Sequence, residues 1–227
     1  MRTASVPRPD QLPQEPRRLA LAVLISGSGS TMANLADRIS EGSLDARIRI
    51  VISSRRKAAG IEKAHARGLA TEILPRRRFV EGDRFDADRY TAALLDLLEP
   101  RAVDLVVLGG FMSRLGPALF ERYPVVNVHP ALLPRFGGQG MYGHHVHEAV
   151  LGAGETRSGC TVHFVDPEYD HGPILAQREV EVRSDDTSDT LAARVQAAER
   201  ELYPEAIGRI AAGKVRVDPE GRVTVLP

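Results

Sequence analysis

Apolar positions come in blocks whose spacing changes along the chain. Leu19 to Ile25 is an unbroken apolar run closed by Ser26 and Gly27, the pattern of a short strand buried on both faces. Met32, Leu35, Ala36 and Ile39 then take helical spacing from about Ser30, with Gly42 just past the end, which predicts a helix. The alternation repeats. Ile48–Ile52 predicts a strand, Ala58–Arg67 a helix stopped by Gly68, and Thr71–Leu74 a short strand. Pro75–Asp83 is basic and loop-like, Asp86–Leu98 returns to helical periodicity, and Val103–Leu108 is a further apolar strand ending in Gly109 and Gly110. Strands at Val125–Val128, Gly159–Val165 and Ile174–Val182 follow, then a long helix from Ser188 to about Ala212 capped by Thr187 or Ser188. Val215–Val217 and Val223–Leu226 predict a terminal hairpin around Pro219, Glu220 and Gly221.

Repeated strand–helix units imply an α/β fold, a Rossmann-like, mostly parallel twisted sheet with helices on both faces and right-handed crossovers. Residues 1–18, with four prolines and mixed charge, are expected to be a disordered tail and do not read as a signal peptide. The remainder divides into an N-terminal half, 19–124, and a C-terminal half, 125–227, merged in one domain.

Composition narrows the function. The 227 residues carry 30 basic and 30 acidic side chains, whereas a nucleic-acid binder usually shows a basic excess. The basic runs Arg55–Lys57 and Arg76–Arg78 are expected as solvated surface. No apolar run approaches the ~20 residues of a spanning helix, so no membrane role is expected. A lone cysteine, Cys160, permits no intrachain disulfide and suits a cytoplasmic location.

Two segments carry candidate chemistry. Gly27, Ser28, Gly29 and Ser30 join the first strand to its helix, where glycines allow close backbone approach and the helix N-terminus favours an anion. The same glycines also serve a plain tight turn. The third glycine of a dinucleotide fingerprint is replaced by Met32, and Ser53, Ser54, Arg55 and Arg56 stand where an acidic ribose contact would be expected. A single phosphate fits better than NAD. Further on, Val125–Val128 delivers Asn127 and His129 to one side of a strand end, followed by Pro130. An amide donor beside an imidazole can stabilise an oxyanion and exchange a proton. A buried histidine with satisfied hydrogen bonds would give the same sequence.

Asn127-Val-His-Pro-Ala-Leu-Leu-Pro134 closely resembles the Asn-x-His-Pro-Ser-Leu-Leu-Pro motif of the folate-dependent formyltransferases, with Ala131 in place of serine. Ile25–Ser30 resembles the phosphate loop of the phosphoribosylglycinamide formyltransferases, Val106–Met112 their Gly-Phe-Met segment, and His163–Pro173 the loop carrying their aspartate. The resemblance spans roughly Ala20 to Ile210. It implies the formyltransferase fold, catalysis by Asn127, His129 and Asp170 without a metal, and 10-formyltetrahydrofolate and glycinamide ribonucleotide as the small-molecule partners of a monomer or homodimer. It assigns the acceptor to Gly27, Ser28, Gly29, Ser30, Thr31, Gln196 and Glu199, the last two being equally compatible with a solvated helix face. It assigns the folate to Leu108, Gly110, Phe111, Met112, Leu115, Val165 and Asp166, of which Phe111 and Met112 could equally be core.

Departures remain. Thr31 replaces the usual asparagine, Ser113 falls where arginine is usual with Arg114 adjacent, and the glycine-rich Arg135–Gly143 segment is longer than in the family. His144, His145 and His147 cluster without the companion spacing of a zinc site. Competing readings are a formyltransferase acting on an amino-sugar nucleotide and a non-catalytic phosphate-binding module. Methionyl-tRNA formyltransferase and formyltetrahydrofolate hydrolase are disfavoured because each normally carries an added domain.

Overall fold

The computed structural model describes residues 7–218 and 222–226. In chain order the elements are β1 (Leu19–Ile25), α1 (Ser30–Ser40), β2 (Ala46–Ser53), α2 (Ala59–His65), β3 (Thr71–Ile73), β4 (Val80–Glu81), β5 (Arg84–Phe85), α3 (Ala87–Leu98), β6 (Leu105–Gly109), α4 (Pro117–Arg122), β7 (Val125–His129), α5 (His144–Gly152), β8 (Arg157–Phe164), β9 (Ile174–Glu181), α6 (Ser188–Ala211), β10 (Val215–Val217) and β11 (Val223–Val225). Seven strands form one sheet in the order β3-β2-β1-β6-β7-β8-β9. The first five run parallel, whereas β8 is antiparallel to both β7 and β9.

Alternate residues of β1 feed two core layers, which is why its sequence is apolar throughout. Leu19, Leu21, Val23 and Ile25 pack with α1 and α6, while Ala22 and Leu24 pack with α3 and α4. Helices therefore cover both faces, as the periodicity predicts. On β7, Val126 joins the α1–α6 layer and Val125 the α3–α4 layer. Asn127 and His129 share the parity of Val125. On β8, Cys160, Val162 and Phe164 join the α1–α6 layer, which leaves Thr161 and His163 on the same face as Asn127 and His129.

Helix ends explain several boundaries. Asp86 caps α3 by accepting from the Arg89 backbone N–H at 2.9 Å, and Thr187 caps α6. Pro204 lies inside α6 and cannot donate to the Arg200 carbonyl. The Asn34 amide of α1 fills that vacancy at 2.8 Å, tying the two helices together.

Two expectations change. The segment expected as a disordered tail is packed over its described part. Leu12 is buried in the core, the Arg17 N–H donates to the Ala211 carbonyl at 2.9 Å, and Arg216 donates to the Gln14 carbonyl at 3.0 Å. Its partners lie nearly a whole chain away, so local composition could not reveal them. Residues 1–6 and the hairpin turn 219–221 lie outside the described residues, although β10 and β11 do pair antiparallel. The basic Pro75–Asp83 stretch is more ordered than a loop: a 3₁₀ turn over Arg76–Phe79 leads into the β4–β5 hairpin.

Candidate active site

A cavity of about 760 Å³ opens along the carboxyl edge of the parallel strands, within the range of small-molecule sites. At one end lies the start of α1. Gly29 is its N-cap in the left-handed region (φ 66°), and no side chain caps the helix. Ser28, Ser30 and Thr31 line the cavity beside these uncapped N–H groups. Gly27 and Gly29 do not line it. The Gly27 carbonyl accepts from the Gly60 N–H at 3.0 Å, and a Cβ on Gly29 would stand 2.5 Å from Gly60 Cα. Only Gly29 needs to be glycine for the loop to pass α2, since a Cβ on Gly27 would meet nothing within 4 Å; the adjacent hydroxyls face the ligand space.

Gln196 and Glu199 of α6 also line the cavity. Gln196 is exposed there and Glu199 half-buried, its carboxyl raised to about 7 chiefly by burial, with Arg200 opposing. On another wall stand Leu108, Gly110, Phe111, Met112, Leu115, Val165 and Asp166. Met112 is 49% exposed, so it is not core. Its N–H donates to Ser26 Oγ at 2.8 Å, fixing the loop to β1. Phe111 lines the cavity while touching Tyr90 of α3, with ring centroids 6.3 Å apart. Asp166 turns its carboxylate to its own loop, accepting from the Glu168 N–H and pairing with His171, both at 2.8 Å. Ser113 is buried on this wall with its hydroxyl unpartnered, and Arg114 is exposed beside it.

Asn127, His129 and Asp170 meet in the cavity. His129 Nε2 donates to the Phe136 carbonyl at 2.8 Å, and its Nδ1 lies 3.4 Å from Asp170 Oδ2. Both ring nitrogens thus face oxygen acceptors, an arrangement complete only when both carry protons. Asp170 adopts a left-handed backbone (φ 54°), uncommon for a non-glycine residue. The Gly138 N–H donates to its Oδ2 at 3.0 Å.

Sequence reasoning missed His163. It is 1% exposed, pairs in register with Asn127, and its Nε2 lies 3.3 Å from the Asn127 amide and 3.7 Å from Asp170 Oδ1. His163 Nδ1 donates to the Phe164 carbonyl at 2.8 Å, so the neutral ring accepts at Nε2 from Asn127. Burial, the largest cause, lowers its pKa and favours that neutral form. A signal existed. In a strand with both faces buried, Thr161 and His163 alternate with Cys160, Val162 and Phe164. Thr161 also pins the segment after His129, donating to the Ala131 carbonyl at 2.7 Å and accepting from the Leu133 N–H at 3.0 Å.

The three clustered histidines diverge. His144 pairs with Asp189 and His145 with Glu148, while His147 turns inward. Among the described residues no group of His, Cys, Asp or Glu gathers as a metal-ligand set. Burial pushes the Cys160 thiol up to about 12, leaving it a poor nucleophile.

A site that polarises a carbonyl and relays protons suits transfer of an acyl group between two bound substrates, and an α/β group-transfer enzyme is the class it defines. The formyl transferase family profile matches residues 19–207. The chain belongs to this family, within its phosphoribosylglycinamide formyltransferase branch. It is 37% identical over 209 residues to the chloroplastic phosphoribosylglycinamide formyltransferase of Arabidopsis thaliana, covering 91% of this chain and 70% of the relative. It is 38% identical over 211 residues to the trifunctional purine biosynthetic protein adenosine-3 of Bos taurus, covering 92% of this chain but only 20% of that protein. The crystal structure of glycinamide ribonucleotide transformylase 1 from Symbiobacterium toebii superposes with a TM-score of 0.82 at 35% identity, covering 92% of this chain and 95% of that one. No helix among the described residues is long and apolar enough to cross a membrane.

Proposed function

We propose that the enzyme transfers the formyl group of 10-formyltetrahydrofolate to the amine of glycinamide ribonucleotide, a step of purine biosynthesis. The observation that carries the reading is the convergence of Asn127, His129 and Asp170 on one cavity whose far end is an uncapped helix start. The ribonucleotide phosphate would take the N–H groups and hydroxyls at Ser28, Ser30 and Thr31, with Gln196 and Glu199 alongside. The folate would lie along Phe111, Met112, Leu115 and Val165, an apolar wall suited to a flat ring.

In this reading the acceptor nitrogen adds to the formyl carbon, and the Asn127 amide and the His129 imidazolium stabilise the charge that develops on the formyl oxygen. Asp170 holds the imidazole charged and oriented, and the proton lost by the amine reaches the departing folate nitrogen. His163 fixes which way the Asn127 amide points. Purified protein should form formylglycinamide ribonucleotide without added metal. Replacing His129 with Ala or Asp170 with Asn should lower kcat by ~10²–10⁴-fold. Near-native turnover in both variants would remove these roles, and formylation of an amino-sugar nucleotide instead would change the acceptor alone.

A further inference from the structure

His147 stands apart from the machinery just described. It sits in the first turns of α5, is 3% exposed, and lines the same cavity as Gln196 and Glu199. Its Nδ1 is buried without a hydrogen-bond partner. No other side-chain or backbone group of the described residues bonds to its Nε2 either. Buried polar groups in folded proteins are nearly always satisfied, and an exception calls for a reason. A ring that turns to meet a ligand in the cavity it lines is one. The protein does not lack means to satisfy a histidine here, since His129 and His163 each find a carbonyl.

Position narrows the ligand. α5 packs on α6, the helix that brings Gln196 and Glu199 to the same cavity. We propose that His147 is a binding contact for the amine acceptor, hydrogen-bonding a hydroxyl or amide group of that substrate. The inference rests on the formyl-transfer reading and adds to it a specificity-determining residue. Burial, with smaller contributions from His144 and His129, keeps the ring neutral. A neutral imidazole offers one donor and one acceptor, which matches a hydroxyl or an amide and does not single out a phosphate. The sequence reaches His147 through Gly138, Gly140 and Gly143, all at positive φ. The segment departing from the family therefore delivers a polar group to the acceptor side.

The test compares wild type with His147→Leu and His147→Asn in steady state, varying glycinamide ribonucleotide and 10-formyltetrahydrofolate separately, alongside thermal melts of the ligand-free enzyme. Leucine keeps the bulk and removes the orphan polar atoms, so the free enzyme should melt no lower than wild type. The acceptor KM should rise ~10-fold or more, with the folate KM and kcat within ~3-fold. Asparagine restores a donor and an acceptor, so its acceptor KM should fall between the two, and it carries the comparison if the leucine variant is insoluble. An acceptor KM within ~2-fold of wild type in each soluble variant, or equal rises for both substrates, would overturn the proposal. Wild type that formylates no glycinamide ribonucleotide would overturn the formyl-transfer reading, and this inference with it.

Discussion

Glu199 holds a carboxyl against desolvation with only Arg200 to relieve it. Its folded pKa, about 7, lies above the ordinary carboxylate value. The folded state therefore binds the proton more tightly than the unfolded chain. This favours folding at acid pH and is lost as pH climbs from the ordinary value through about 7. Glu199→Gln should remove that decline, raising stability at pH 8 by on the order of 2–3 kcal/mol while changing little at pH 4. Urea melts of both proteins at the two pH values check this. Single residues were unevenly legible. The shared placement of Asn127 and His129 was legible in strand parity, whereas a role for them came only with the family motif. His163 and His147 were not, because a histidine in an apolar run looks the same whether it is a satisfied core residue or part of a cavity wall.

Elements were read best where one periodicity runs long enough, as in β1, α1, α3 and α6. The short α4 gives too few turns to show a pattern, and α5 turns a histidine inward beside Val146 and Val150. The reversal of β8 was equally hidden, because burial on both faces gives an apolar run in either direction. Helix contact in this fold depends on a glycine pair the sequence does not advertise. A Cβ on Gly60 would lie 2.6 Å from Ile25 Cδ1 and 2.9 Å from Gly29 Cα. Gly60→Ala must push α2 off the Gly27–Ser30 loop, and we expect a cost of ~1–3 kcal/mol together with a raised acceptor KM. Thermal melts and acceptor titrations distinguish this from a purely local loss of stability, which would leave the KM unchanged.

At the scale of the whole molecule, residues 12–17 meet residues 211–216 from the far end of the described chain. Leu12 enters the layer built by α1 and α6, and its neighbours are held by the end of α6 and by Arg216 near β10. Leu12→Ala should cost ~2–3 kcal/mol, lowering Tm by ~4–12 °C for a domain of this size, with kcat unchanged because the cavity lies at the other end of the strands. A variant that melts with wild type would show the segment to be dispensable. The two loops over the cavity are joined more sparingly. Asp170 Oδ2, the oxygen that faces His129, also receives the Gly138 N–H. The Gly138 amide hydrogen is therefore a natural gauge. Its exchange with heavy water should be slowed when the loop is seated on a charged carboxylate and quicken when Asp170→Asn weakens the acceptor, so isotope uptake at one glycine can report on the aspartate without any turnover.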